Sequence, residues 1–360
     1  MARPTHAFID LAALQVNLQQ VKACAPTSQI MAVVKANAYG HGAVRVAKIL
    51  KTEVDAFAVC CLEEALVLRE ENITKPIILL EGFFQPEELP VIVNQDLSVV
   101  IHSPKQFEHL VKARLSEPVN VWLKVDTGMN RLGFIPNEVA SIYKLLKQSP
   151  QVAKPIRLMS HLACADDLQS NITKQQIDKF TTLITAIKTE ASLANSAGIL
   201  GWNKSHIDWV RPGIMLYGVS PFIERIGEQE GLQPVMHLQS VLISVKRCRK
   251  GEAIGYGATW HCPQSMPVGV VAIGYADGYP RHAPSGMPVL VNGKRVPLIG
   301  RVSMDMITVD LRSQPNARIG DPVVLWGKNL PVEEVANLTG TIAYELLCNI
   351  SNRVKITTSG

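Results

Sequence analysis

Between residues 30 and 213 the chain repeats one alternation, a short apolar run followed by a longer stretch of helical period. The runs are IMAVVK (30–35), FAVC (57–60), PIILL (76–80), SVVIH (98–102), VWLKVD (121–126), IRLMSHL (156–162), a stretch near SLANS (192–196) and HIDWVRPG (206–213). Runs this short, rich in Val, Ile and Leu, read as strands, and helical stretches fall in the gaps at 43–51, 62–70, 105–115, 137–148 and 173–189. Eight strands alternating with helices predict a closed parallel (β/α)8 TIM-type barrel, with an open doubly wound sheet as the alternative, because period alone does not show closure. After SPFIERIGEQEGLQP the texture changes. Turns rich in Lys, Glu and Gly separate VMHLQSVLISVK (235–246), GVVAIG (269–274), PVLV (288–291), MITVD (306–310) and PVVLW (322–326), with two short helical stretches near 332–337 and 341–348. The expected organisation is a barrel over 1–230 and a mainly β domain over 231–360.

Composition removes several classes of function. The 360 residues are 47% hydrophobic and 19% charged, as in an ordinary soluble globular protein. The formal charge of +5 is spread along the chain without a block of Lys or Arg, so no nucleic-acid footprint is expected. No segment is apolar over the length a membrane span needs, and the opening MARPTHAFID lacks the pattern of a signal peptide. Seven Cys, an odd number without CxxC or Cys/His ligand spacing, argue against a metal site and suit a reducing cytosol, so a cytoplasmic location is expected.

In a parallel barrel the reactive side chains come just after the strands, where strand ends and loops share one rim. Lys35 follows the first run, Arg131 lies in DTGMNRLG after the fifth, and His161 ends the sixth. Asn195 and Ser196 follow the seventh in NSAG, and Arg211 ends the eighth in VRPG. Singly, each has an ordinary reading: a snorkelling lysine, a structural histidine, an arginine paired with a nearby acid, a turn that is only a turn. Together they assemble an amine, a phosphate cradle at the loops after strands seven and eight, and an arginine for a ring nitrogen, which is what pyridoxal phosphate requires. Desolvation at the barrel mouth would make the lysine amine nucleophilic.

The motifs VVKANAYGHG, LKVDTGMNRLGF, SHLACAD, ANSAG, VRPGIMLYG, GYGATW, IGYADGYPR, GRVSMDM and YELLCNISNRV, in this order from end to end, resemble those of the bacterial, pyridoxal-phosphate-dependent, fold-type III alanine racemases. The resemblance implies an isomerase built as an eight-stranded barrel plus a β domain, working as a homodimer whose C-terminal domains complete the partner's active site. By it, Lys35 holds the cofactor covalently and serves as one base, and Tyr256 is the second base, supplied by the partner chain. Tyr39, Ser196, the backbone of Gly213 and Ile214, and Tyr344 reach the phosphate. Arg211 faces the pyridine nitrogen, and Arg131 the phenolic oxygen and the substrate carboxylate. Met304, before Asp305, offers its backbone to that carboxylate. His161 tunes Tyr256, Asn195 supports the phosphate turn, Lys124 steadies Arg131 (as a carbamate in some relatives), and Tyr275, Arg281 and Asp166 line the substrate corridor. Ser303 departs from the Cys that relatives often carry there.

Three rivals are weighed against this reading. A non-catalytic pyridoxal-phosphate-binding barrel would lack the residues after 230, and a related decarboxylase would offer a second-domain cysteine whose place Cys348 fills poorly. A racemase preferring serine, or of broader specificity, remains open, as does the choice between supplying D-alanine for cell wall and consuming it.

Overall fold

The computed structural model describes residues 3–358. They form two compact units, one of Asn17–Leu216 with Pro221–Glu224, the other of the chain up to Val16, Tyr217–Ser220 and everything from Arg225 onward.

The chain's first strand, β1 (His6–Ile9), belongs to the second unit. The first unit is built on β2 (Gln29–Val33), β3 (Ala56–Val59), β4 (Ile77–Leu79), β5 (Leu97–Ile101), β6 (Asn120–Lys124), β7 (Arg157–Met159), β8 (Ala191–Ser192) and β9 (Trp209–Val210). Each pairs in parallel with the next, and β9 pairs back onto β2 at Ile30↔Val210, so the sheet closes and the open alternative is excluded. All residues of β3 and β5 are buried, as strands enclosed between a barrel interior and a ring of helices must be. Each such Val, Ile or Leu contributes roughly 1.5–3 kcal/mol relative to exposure.

The helices fall where the periodicity put them, at Ala43–Leu50, Leu62–Glu70, Pro104–Lys112, Pro136–Gln148 and Asn171–Ile187. Their starts are specified locally. Ser103 accepts the N–H of Gln106, Ser170 accepts that of Thr173, and Pro104 and Pro136 occupy first-turn positions where no N–H is needed. Every strand ends before its run does, because the last residues leave the ladder for the rim. The stretch near SLANS keeps only Ala191–Ser192 as strand.

The second unit centres on β10 (Met236–Cys248). A hairpin of β11 (Ala253–Ile254) and β12 (Trp260–His261) follows, then β13 (Met266–Val271), β14 (Pro288–Val291), β15 (Lys294–Pro297), β16 (Ile307–Asp310), β17 (Pro322–Trp326) and β18 (Lys355–Thr358). The main sheet runs β15-β14-β17-β10-β1-β18, with β13 paired to β10 and β16. Residues 1–230 were expected to be barrel, but the chain up to Val16 packs with the β-rich unit. The reason is hydrogen bonding: His6–Ile9 pair antiparallel with Met236–Gln239 and parallel with Lys355–Thr358. No helix among the described residues is long and apolar enough to cross a membrane.

Candidate functional site

Lys35 follows β2 and opens the turn Lys35–Tyr39, whose next four residues, Ala36, Asn37, Ala38 and Tyr39, have φ of 51, 53, 53 and 52°. Four consecutive L-residues thus form one turn of left-handed helix, at about 1–2 kcal/mol of strain each, which persists only where the surroundings impose it. They do so here through specific bonds. Ala36 N–H donates to Glu64 Oε1 at 2.7 Å, while Glu64 Oε2 accepts Cys60 N–H at 2.7 Å. Asn37 accepts Gly42 N–H at its carbonyl (2.8 Å) and Ala43 N–H at Oδ1 (2.9 Å). His41 Nδ1 lies 3.0 and 2.9 Å from the carbonyls of Ala38 and Tyr39, so that nitrogen carries the proton. Burial pushes His41 down to about 4 and keeps it neutral.

The far end of the turn meets the far end of the barrel unit. A Cβ on Gly213 would stand 2.7 Å from the Tyr39 hydroxyl oxygen, so only glycine admits that approach. Ser196 Oγ accepts the N–H groups of Gly213 (2.9 Å) and Met215 (3.3 Å). Among the described residues the buried Ile214 N–H between them has no protein acceptor. Asn195 caps the following turn by accepting Gly198 N–H at 2.9 Å.

Among the described residues Arg211, 3% exposed, has no carboxylate partner. Its guanidinium donates to Ser192 Oγ (2.6 Å), the carbonyls of Ser160 (2.6 Å) and Leu193 (3.1 Å), and His161 Nδ1 (3.2 Å). Burial pushes it down to about 10, which still leaves it charged at neutral pH. A guanidinium can only donate, so His161 Nδ1 accepts and its Nε2 carries the proton. Burial first, then Lys124, Arg211, Arg131 and Lys35, hold His161 well below the usual histidine range, so it is neutral. Lys124, the last residue of β6, is pushed well below 10.5 by burial first and then by Arg211, Arg131 and Lys35, with Asp126 pulling the other way. Arg131 is exposed on a loop folded by Asp126, whose Oδ1 accepts the N–H groups of Gly128, Met129 and Asn130 at 2.9, 3.0 and 3.1 Å.

Lys35, Arg131 and Arg211 therefore act electrostatically on both Lys124 and His161 at the rim. Asp166, half-buried after β7, is not among the groups that shift this cluster. The sequence reading missed Ser160 and Ser192, which hold Arg211, and Glu64, which holds the left-handed turn. It also missed Gln176, whose Nε2 donates to the His161 carbonyl at 2.9 Å and to Thr127 Oγ1 at 3.2 Å. Only Ser160, next to His161 at a strand end, carried a positional signal. Among the described residues no group of three or more His, Cys, Asp or Glu could hold a metal ion.

The remaining candidates lie in the β-rich unit. Tyr256, 68% exposed, heads the turn Tyr256–Ala258 between β11 and β12, where Gly255 and Gly257 take φ of 73 and 74°. Tyr275, Arg281 and Met304 are exposed, Met304 at 52%, Asp305 is half-buried, and Tyr344 is half-buried in the helix Ala343–Cys348.

Two family models match the chain, the alanine racemase N-terminal domain over residues 9–221 and the alanine racemase C-terminal domain over 235–358. The chain is 53% identical to an alanine racemase of Vibrio parahaemolyticus over 350 residues, 97% of this chain and 98% of the relative. It superposes on the crystal structure of the biosynthetic alanine racemase from Pseudomonas aeruginosa with a TM-score of 0.95 at 46% identity, covering 99% of this chain and 100% of that one. The alanine racemase of Acinetobacter baumannii gives a TM-score of 0.94 at 40% identity, covering 99% and 100%. With both domains matched and relatives half identical over nearly the full length, the chain belongs to the alanine racemase family.

Proposed function

We propose that this protein interconverts L-alanine and D-alanine with pyridoxal phosphate, using Lys35 and the partner chain's Tyr256 as opposed bases in a cytoplasmic homodimer. The observation that carries the reading is the cationic rim, where an amine, two arginines and a neutral histidine converge with little opposing negative charge. Such a cluster fits an anionic aldehyde cofactor. Lys35 would bind it covalently, and the phosphate would take the Ile214 N–H and the Tyr39, Ser196 and Tyr344 hydroxyls. When bound, pyridoxal phosphate supplies an electron-withdrawing system that brings an amino acid's α-proton within range of ordinary bases.

The chain's own residues then have distinct tasks. Arg211, which only donates and stays charged, would keep an unprotonated ring nitrogen opposite it. Arg131 and the Met304 backbone would orient the substrate carboxylate. Lys35 and Tyr256, on opposite faces, would each remove the proton from one enantiomer and return it to the other. His161, with its proton on Nε2, can donate a hydrogen bond to the Tyr256 oxygen when that oxygen is negative. The exposure of Tyr256 and Met304 supports a homodimer that covers them. Free thiols throughout support a reducing location. The Pseudomonas relative is described as biosynthetic, which supports a role in supplying D-alanine.

A match to both family domains favours this over a cofactor-binding barrel alone. Chiral chromatography after incubating the purified holoprotein with L-alanine, L-serine and a panel of other L-amino acids tests the reading. L-alanine should approach an equal mixture of enantiomers fastest. Conversion of serine at an equal or greater rate would move the assignment to a broader racemase, and no D-product from any substrate would overturn it.

A further inference from the structure

Two loops of the β-rich unit, one carrying Tyr275 and the other Met304, are laced together by backbone. Tyr275 N–H donates to the Ser303 carbonyl and Ala276 N–H to the Met304 carbonyl, both at 3.0 Å, and Ser303 N–H donates to the Met306 carbonyl at 3.0 Å. The fit is tight enough that a Cβ on Gly274 would stand 2.3 Å from the Ser303 oxygen and 2.4 Å from that of Met304. Below the lacing lies Asp277, whose carboxylate has no exposed surface. Its Oδ2 accepts Gly274 N–H at 2.9 Å and Arg3 Nη2 at 2.7 Å, and Arg353 Nε lies 3.5 Å from its Oδ1. Each arginine also grips the other loop. Arg3 Nη2 donates to the Asp305 carbonyl at 2.5 Å, and Arg353 Nη2 to Asp305 Oδ1 at 2.6 Å.

Two guanidiniums from opposite ends of the sequence therefore bridge Asp277 to Asp305, the residue after Met304. The parallel pairing of β1 with β18, His6 opposite Lys355, is what brings those ends together. We infer that Arg3 and Arg353 are positioning residues which, through Asp277 and Asp305, fix the Met304 backbone for the substrate carboxylate. The inference rests on the role proposed for Met304 above. An exposed ion pair alone would do little, but the Asp277 carboxylate is buried and anchored to the Gly274 backbone, so its partners are held in one place. Arg353 faces both carboxylates with one rigid planar guanidinium, hydrogen-bonded to Asp305 and ion-paired with Asp277, a geometry that a flexible lysine ammonium reproduces only in part.

The test uses the holoenzyme and the variants Arg353→Ala, Arg353→Lys and Arg3→Gln. Loss of a well-placed hydrogen bond to a charged group predicts that KM for both alanine enantiomers, and the inhibition constant of propionate, rise about tenfold in Arg353→Ala. The turnover number should stay within about twofold, because the interaction is made equally in ground and transition states. Arg353→Lys should recover part of the loss, and Arg3→Gln should shift KM in the same direction. Unchanged KM and propionate affinity in all three variants, or a fall in turnover and melting temperature with KM unchanged, would overturn the inference by reducing the network to scaffolding. Absence of racemisation by the unsubstituted enzyme would overturn the functional reading and this inference together, whereas racemisation with intact propionate affinity in the variants overturns this inference alone.

Discussion

Replacing Lys124 by methionine should stabilise the cofactor-free protein at neutral pH and flatten the dependence of its stability on pH. Lys124 ends β6 half-buried, and among the described residues its ammonium has no hydrogen-bond or ion-pair partner, while Arg211, Arg131 and Lys35 repel it. Its folded pKa is therefore depressed below that of the unfolded chain. The sign follows from proton counting. Below the folded value both states are protonated and the fold carries the whole penalty. Between the folded and unfolded values only the unfolded chain binds the proton, so stability rises with pH by up to about 1.4 kcal/mol per unit. Above 10.5 the penalty is gone. Methionine has similar length and no charge, so it carries no such penalty at any pH. Between pH 7 and pH 9 the unsubstituted protein should thus gain up to about 2–3 kcal/mol on Lys124→Met. Contributions from thiols such as the half-buried Cys60, pushed up to about 12, are common to both proteins and cancel in the difference. Urea unfolding should be followed by hydrogen exchange of the Asn120–Lys124 peptide, which reports the barrel and not the β-rich unit. The buffer must be free of carbon dioxide, because a neutral amine forms a carbamate that reverses the charge. Parallel pH profiles for the two proteins, or a less stable Lys124→Met at pH 7, would refute the reasoning.

Two further outcomes follow from the same rim. Ser196→Ala leaves the buried Gly213 and Met215 N–H groups without their acceptor, so the barrel should lose about 2 kcal/mol and pyridoxal phosphate affinity about tenfold. Fluorescence titration with the cofactor and urea unfolding check this, and an unchanged affinity would remove Ser196 from the phosphate cradle. Lys35→Ala and Tyr256→Ala should each be nearly inactive as homodimers, yet equal amounts refolded together should regain roughly a quarter of the unsubstituted sites, since each mixed dimer has one site with both bases intact. Verified mixed dimers no more active than the parents, while unsubstituted chains survive the same treatment, would sink the shared site.

How much of this was legible in the sequence depended on how local the cause was. Strands such as β3 and β4 could be read because burial on both faces writes itself as an unbroken apolar run, and the serines and prolines at helix starts act within a few residues. Closure could not, because it depends on β9 meeting β2, and nothing in either strand records its partner. HAFI, residues 6–9, was missed for the same reason, since the strands that make it a strand begin at residues 236 and 355. KANAY is a sharper case. Its alanines favour a right-handed helix by propensity, yet it turns the other way, because Glu64, Asn37 and His41 each satisfy a backbone group only in the left-handed arrangement. Lys35, Arg131, His161 and Arg211 were picked out by position, since strand ends of a barrel converge whatever residues they carry, whereas Lys124 came only from the family resemblance. What the position could not supply was their charge. Lys124 and His161 look like two more cations in the sequence, and become poor ones only when burial and the neighbouring Arg211, Arg131 and Lys35 act on them together. A site that assembles positive charge from four strand ends therefore limits its own charge, and it is the groups with the weakest hold on a proton, Lys124 and His161, that give way, leaving Arg211 charged where a ring nitrogen would face it.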